Sequence, residues 1–443
     1  MLEANVRILY ALKSFLKEVN EKTEYKTLFR ISVTDFTRNR KLSFDKLVLL
    51  IVRLCKKTLS VELEHFFAEV NGGYPCSVAA FSLQRMKLKP TFYYSWNKCL
   101  CSSFYSEYGN KIKRWRGFRV IGCDGSSISL VNKPALAKYF GGQSNQSGSF
   151  VVAKTFYGYD VLNKMILFPQ IAPYRYGELP MAYDLIENGH IQSDMLLVLD
   201  RHYSNYKIAS LLSFQEQEIK YVIRAKDSLI FAKQFVASGK KSDVIYLLPG
   251  PSAIIGLRKS GYIIQKDTSL KIRLIRVVLP SGKIEILMTN LWEEEGYPSH
   301  EFKFLYSLRW NVESNIYFQK NILQLESLSG LSATAIMQDF FATVFITNLH
   351  FLLIKQAQHS IHKKAKNKKY PMKVNNNRAF GKIKENLISL FISQRPEVIL
   401  YNLNQYFIRA PLPVREGRSF PRIRKNPLTK CKHKTFTNYK PAY

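Results

Sequence analysis

Phe118-Arg-Val-Ile-Gly-Cys-Asp-Gly-Ser-Ser-Ile-Ser-Leu-Val131 is where the chain changes its period. Upstream the apolar residues recur at helical spacing; here they run together, with Asp124-Gly125 in the middle. The stretch reads as two short strands around an Asp-Gly turn. Ser149 to Tyr157 and Met165 to Ile171 read as further strands of the same sheet. A helix is expected over Met181 to Asn188. Met195-Leu-Leu-Val-Leu-Asp200 follows, an apolar run closed by a carboxylate, then a helical pattern through Leu212 and a strand over Ile219 to Arg224. Three strands, a helix, a strand, a helix and a strand make an α/β sandwich with a mixed sheet.

Working outward, residues 1 to about 110 have helical spacing and little Gly or Pro between Ser43 and Phe67. A plain helical bundle fits that pattern. So does a bundle that touches DNA, given Arg38, Arg40, Lys41, Lys46, Arg53, Lys56 and Lys57. From 226 to 299 the text turns β-rich, with strands expected at Asp243 to Leu248, Ala253 to Arg258, Lys271 to Leu279 and Ile284 to Thr289, and it reads as a separate antiparallel insert. One long helical pattern covers 301 to 323, and an apolar helix lies around 333 to 358. Residues 355 to 443 hold 21 Lys plus Arg against 3 Glu, a basic and partly irregular tail that suits contact with phosphates.

At 443 residues the chain should hold two to four units of ordinary size. Hydrophobic residues at 46% and charged residues at 22% exclude wholesale disorder. Charge is the unusual property. Lys plus Arg number 66 against 33 Asp plus Glu, a net +33, which fits a polyanionic partner. Nucleic acid comes first and an anionic membrane surface second. The longest apolar candidate for a membrane span, Phe340 to Ile354, is short of the roughly 20 residues needed and carries Thr343, Thr347, Asn348 and His350. The N-terminus lacks a signal-peptide core. A cytoplasmic protein without membrane association is therefore expected. Six cysteines (55, 76, 99, 101, 123 and 431) have no zinc-finger spacing, and reduced thiols are expected.

Three acids carry the chemical reading. Asp124 follows the strand Val120 to Cys123, Asp200 ends the strand Met195 to Leu199, and Glu313 lies in the helical stretch Leu305 to Lys320. Residues at adjacent strand ends can converge on one cleft. In the helix, Tyr306, Arg309, Glu313 and Lys320 fall on one face at about 3.6 residues per turn, beside an apolar stripe of Leu305, Leu308, Val312 and Ile316. So polar a file is expected to face outward. Carboxylates without Cys or His suit Mg²⁺, and two such ions can run phosphodiester displacement. Taken singly, a carboxylate that ends a strand is more often an ordinary cap.

These pieces together resemble the DDE insertion-sequence transposases of the insertion-sequence-four group, whose core is RNase H-like. Asp124-Gly125 resembles the first catalytic acid, and Asp200-Arg201-His202-Tyr203 the second, with His202 where the family has Gly. Tyr306-x2-Arg309-x3-Glu313-x6-Lys320 resembles the Y-R-E-K signature at full spacing, and Gly177-Glu178 loosely echoes an acidic motif between the two aspartates. The resemblance implies that Asp124, Asp200 and Glu313 are catalytic and hold two Mg²⁺ ions, with Mn²⁺ as a substitute. It also implies that Tyr306, Arg309 and Lys320 bind DNA, and Trp292 is a further stacking candidate.

The implied layout is a helical DNA-binding domain over 1–112, an RNase H-like core over 113–225 and 300–358, a β-rich insertion over 226–299 and a basic region over 359–443. The implied activity is cut-and-paste transposition of double-stranded DNA by a homodimer, through a hairpin intermediate, in the bacterial cytoplasm at the nucleoid. An RNase H-like nuclease without strand transfer and an inactive DNA-binding derivative are the alternatives.

Overall fold

The structure, a computed structural model, describes residues 1–415 apart from residues 71, 146 and 147. The basic segment 416–443, with Cys431, lies outside the described residues. The protein is a mixed α/β molecule with a large central mixed sheet and many helices.

The first 112 residues form α1 (Leu2–Glu21), α2 (Thr23–Phe29), α3 (Phe44–Val52), α4 (Leu59–Glu69), α5 (Val78–Arg85) and α6 (Thr91–Tyr108). In α1, Ile8, Leu9, Leu12, Leu16 and Val19 make an apolar stripe at helical spacing, and that stripe is the buried face.

β1 (Arg119–Ser129) follows as one unbroken strand, not two strands around a turn. Asp124 pairs with Tyr157 and Gly125 with Phe156 in a continuous antiparallel register. A two-residue hairpin there needs positive φ, and neither residue has it. The ladder on the neighbouring strand supplies partners that a turn would forfeit. Next come α7 (Pro134–Phe140), β2 (Gly142–Asn145), β3 (Gly148–Asp160), β4 (Met165–Pro173), α8 (Glu178–Glu187), β5 (Met195–Leu199), α9 (Tyr206–Ser213) and β6 (Lys220–Arg224). β3 lies antiparallel to β1 and β4, while β5 is parallel to both β1 and β6.

The segment expected to be a separate insert joins the same sheet. It contributes α10 (Ile230–Ala237), β7 (Ser242–Leu247), α11 (Pro251–Lys259), β8 (Leu270–Val278) and β9 (Ile284–Thr289). β9 pairs with β6, so the strand order is β2-β3-β1-β5-β6-β9-β8-β7, with β4 beside β3. The expected strand at Ala253 to Arg258 is α11, because Gly250-Pro251 starts a helix and Ile254 and Leu257 then fall on one buried face.

The stretch from 302 to 322 is α12 (Phe302–Ser307), α13 (Trp310–Tyr317) and a π-helical turn over Phe318–Ile322, rather than one regular helix. Between α12 and α13 the winding tightens. Leu308, Arg309, Asn311 and Val312 donate their amides three residues back instead of four. α14 (Ala333–Lys364), β10 (Met372–Lys373), α15 (Asn376–Ile392), α16 (Pro396–Ile408) and β11 (Leu412–Pro413) complete the described chain.

Both sheet faces are covered. Val120, Val198 and Val222 pack on one side with Leu305, Val312, Phe340 and Val344, whereas Ile121, Cys123, Leu197 and Leu199 share a second core with α1, α6, α8 and α9. α14 belongs to both cores. It is the one described helix long and apolar enough to cross a membrane by length and composition, longer than Phe340 to Ile354 promised, yet 83% of its most apolar window is buried inside the fold. Thr343 and Thr347 bond back to carbonyls one turn earlier, and Asn348 bonds Asn97 and the Ile166 carbonyl, so these three polar side chains are satisfied internally.

Candidate active site

The strand register sets the first two acids beside each other. Gly122 on β1 is level with Val198 on β5, and Asp124 and Asp200 each lie two residues further on in parallel strands. Equal offsets put both side chains on the same face, about 4.8 Å apart in backbone spacing. Gly122 also fixes the height of the helix above them. A Cβ there would stand 2.5 Å from Val312 Cγ2, so the missing side chain lets α13 press onto β1 and brings Glu313 near Asp124.

Arg309 ties the group together. Its Nη2 donates to Glu313 Oε1 at 3.0 Å, and its Nη1 lies 3.7 Å from Asp124 Oδ2. The guanidinium sits 4.6 Å from the exposed Trp310 ring and 5.9 Å from that of Tyr306. Asp124 Oδ1 accepts the Gly125 amide at 2.9 Å, and Asp200 Oδ1 accepts the His202 amide at 2.7 Å. His202 itself is exposed, and its backbone, available to any residue including Gly, supplies the bond.

Electrostatics report the crowding. Burial pushes the Asp124 carboxyl up to about 7; Arg309 opposes the rise, while Asp200 and Glu313 add to it. Burial likewise pushes the Tyr306 phenol up to about 12, with Arg309 and Arg224 opposing and Glu285 and Asp200 adding.

The expectation that the whole Tyr306–Lys320 file faces outward is corrected. Tyr306 and Arg309 are each only 5% exposed, because the tightened turn between α12 and α13 rolls both against the sheet and the carboxylates neutralise the guanidinium. Lys320 is partly exposed; its Nζ donates to the Ser127 carbonyl at 2.6 Å and lies 3.8 Å from Glu326. Trp292 is half-buried, and its ring face meets the Lys271 ammonium at 4.4 Å.

Sequence reading left Glu178 outside the site; the structure sets it against Gly125, the neighbour of Asp124. A Cβ on Gly125 would fall 2.2 Å from Glu178 Cδ, so the glycine next to Asp124 makes room for this carboxylate. Lys154 on β3 holds Glu178 at 3.2 Å. Beneath them the Tyr203 hydroxyl is buried with no hydrogen-bond partner among the described residues, and its pKa is driven far up by burial and then by Glu178, Cys123, Asp124 and Asp200. The only sequence signal was the loose Gly177-Glu178 echo, and spacing alone could not tie it to Gly125.

The donor chemistry fits a hard divalent cation: carboxylate oxygens only, in surroundings that raise the cost of their charge. Among the described residues, however, no three His, Cys, Asp or Glu side chains are drawn close enough to form a ready cage for one ion. Arg309, between Asp124 and Glu313, carries the positive charge in this arrangement.

A family model described as Transposase DDE domain matches residues 115–349. The chain is also similar to a solved structure, the cryo-EM structure of piggyBac transposase synaptic complex with hairpin DNA, at 11% identity and a TM-score of 0.42, covering 96% of this chain and 89% of that one. A search of curated proteins gives no match. With more than half of the chain matched, from Trp115 at the approach to β1 to Leu349 within α14, this protein belongs to the transposase DDE-domain family.

Proposed function

We propose that the protein is a cut-and-paste DNA transposase of the insertion-sequence-four group, acting on transposon ends as a homodimer in the bacterial cytoplasm, at the nucleoid. The observation that carries this reading is that Asp200 and Glu313, far apart in sequence, both bear on the buried Asp124, with Arg309 between Asp124 and Glu313. Three antiparallel strands followed by two strands parallel to the first support an RNase H-like core with the first two acids on neighbouring strands. The excess of 66 basic over 33 acidic residues supports a DNA substrate. Residues 1–112 and the basic region from 359 are read as the DNA-binding parts.

In this reading Asp124, Asp200 and Glu313 hold two Mg²⁺ ions, or Mn²⁺ in their place. Bound metal supplies charge stabilisation at the phosphodiester under displacement. The chain's own groups do the rest. Arg309 holds Asp124 and Glu313 toward each other and offsets their repulsion before any cation arrives. Lys320 ties the end of the helix to β1 through the Ser127 carbonyl. Tyr306 and Arg309 are too buried for a first contact with DNA, so they act on the carboxylates, while the exposed Trp310 and the partly exposed Lys320 are the groups a DNA strand can reach.

Asp124→Asn, Asp200→Asn or Glu313→Gln should each reduce Mg²⁺-dependent cleavage of DNA bearing the flanking inverted repeats by about 10³-fold, with end binding kept. Retained cleavage would remove that residue from the site. Joining of the freed 3′-hydroxyl to target DNA separates a transposase from a nuclease. Tight end binding with no turnover by the wild-type protein would leave the inactive derivative.

A further inference from the structure

A second charged feature lies away from the carboxylates. Lys113 precedes β1, Lys164 sits in the β3–β4 turn, Lys355 is on α14 and Lys373 on β10, and the fold gathers these four segments at one end of the sheet. The turn is rigidly built. The Asp160 carboxylate accepts from the Leu162 and Asn163 amides, the Asn163 side chain and the Tyr105 hydroxyl. Asn163 in turn exchanges two hydrogen bonds of 2.9 Å with the Lys113 backbone.

Two observations mark the cluster as more than a solvated surface. None of the four ammonium groups has an ion-pair partner within 4 Å among the described residues, and the one acid that faces them, Asp160, already accepts four hydrogen bonds. Lys164 also holds φ at 61°, a left-handed backbone that glycine or asparagine adopts at lower cost, here occupied by a lysine. Aromatic faces support the charges: Phe351 lies 5.3 Å from Lys164, and Phe104 and Tyr108 lie 4.7 and 4.8 Å from Lys355. Burial, then Lys113 and Lys164, lower Lys355 to about 8, with Asp160 opposing, so an anion at the cluster would relieve repulsion already present.

We propose that Lys113, Lys164, Lys355 and Lys373 form a binding site for the backbone phosphates of duplex DNA, separate from the carboxylate cleft. The site rests on the transposase reading for its substrate and not for its geometry. Val161 at the start of the turn bonds the Val120 carbonyl, four residues from Asp124, or about 13 Å at the strand rise. A duplex covers that distance in about four base pairs at 3.4 Å each, so one backbone can lie on the lysines while a neighbouring stretch enters the cleft.

The test uses the full chain, 30-base-pair duplexes and EDTA, so that binding is read without cleavage and a failed cleavage assay would not affect it. Lys113→Gln, Lys164→Gln and Lys373→Gln are combined, and a control combines Lys17→Gln, Lys233→Gln and Lys283→Gln, which removes the same charge from other exposed positions. The cluster variant should flatten the plot of log binding constant against log salt by about 2.7, since each phosphate neutralised contributes ~0.9, and the control by less than about 1. In the wild-type protein, the same duplex should protect Lys113, Lys164 and Lys373 from acetylation, read by mass spectrometry. Equal slope losses in the two variants, or unprotected lysines, would overturn the proposal. So would a cluster whose loss abolishes thermal stabilisation by inorganic triphosphate while the DNA slope stays unchanged, since that result assigns it to a free polyphosphate.

Discussion

Arg85 and Arg309 are both buried beside carboxylates, and they are built differently. Arg85, between α5 and α14, spends its guanidinium completely: Nε on Gln338, Nη1 on Ser329, and Nη2 on the Ala335 carbonyl and on Asp339 at 3.0 Å. Asp339 also accepts the Ser329 amide and hydroxyl; burial opposes its charge, but Arg85 and these bonds hold its pKa below the usual range. Among the described residues Arg309 leaves its Nε without a partner, reaches Asp124 only at 3.7 Å, and serves the Asp124 and Glu313 carboxylates with one charge. One arrangement is closed and joins two parts of the fold. The other is under-satisfied with positive charge, the condition in which an added cation lowers the free energy most.

That difference can be broken experimentally. The largest stability loss belongs to the closed pair: Arg85→Met or Asp339→Asn leaves an uncompensated buried group and should cost about 3–5 kcal/mol in chemical unfolding. Arg309→Met should cost about 1 kcal/mol or less, because its bonds are fewer and the Asp124 carboxyl can take up a proton near neutrality. Equal losses at the two arginines would erase the contrast.

The next effect is a pH dependence. Asp124 titrates near 7 in the folded chain against an ordinary 3.8, so ionising it costs folding free energy. That penalty is absent below about pH 4, grows between 4 and 7, and is complete above 7. In EDTA, Asp124→Asn should therefore stabilise the protein at pH 8 by up to ~4 kcal/mol and leave it unchanged at pH 4. Thermal unfolding at the two pH values reads the difference; a stabilisation that does not depend on pH would remove the buried charge as its cause.

The smallest effect concerns Glu178. Gly125→Ala should displace that flexible side chain from its place against β1 for about 1 kcal/mol or less of stability. If Glu178 helps to position the site, cleavage should drop by up to about 10²-fold all the same, and Glu178→Gln should match it. Unchanged cleavage in both variants would confine Glu178 to pairing with Lys154.

Asp200 at the end of β5 and the helical spacing from Tyr306 to Glu313 were legible because short-range pattern reports strand ends and helix turns directly, whereas Asp124 lies within β1 and not at its end. The mixed sheet was legible too, from apolar runs punctuated by Asp and Gly. The failures had local causes. Asp124-Gly125 is as good a turn as it is a strand interior, and only the ladder to Tyr157 and Phe156 decides between them. Ala253 to Arg258 alternates enough to pass for a strand until Pro251 is seen to start a helix. The segment 226–299 looked self-contained because nothing in its sequence announces the pairing of β9 with β6.

Composition by itself determined that the chain is strongly basic, and spacing singled out Asp124, Asp200 and Glu313 as the candidate acids. Both are properties of neighbouring residues and survive without a fold. Tertiary structure alone decided that Tyr306 and Arg309 turn inward, that Glu178 packs into the gap left by Gly125, and that four lysines from distant segments share one corner. Burial and charge repulsion depend on distances through space, and those distances exist only once the sheet has closed over its helices.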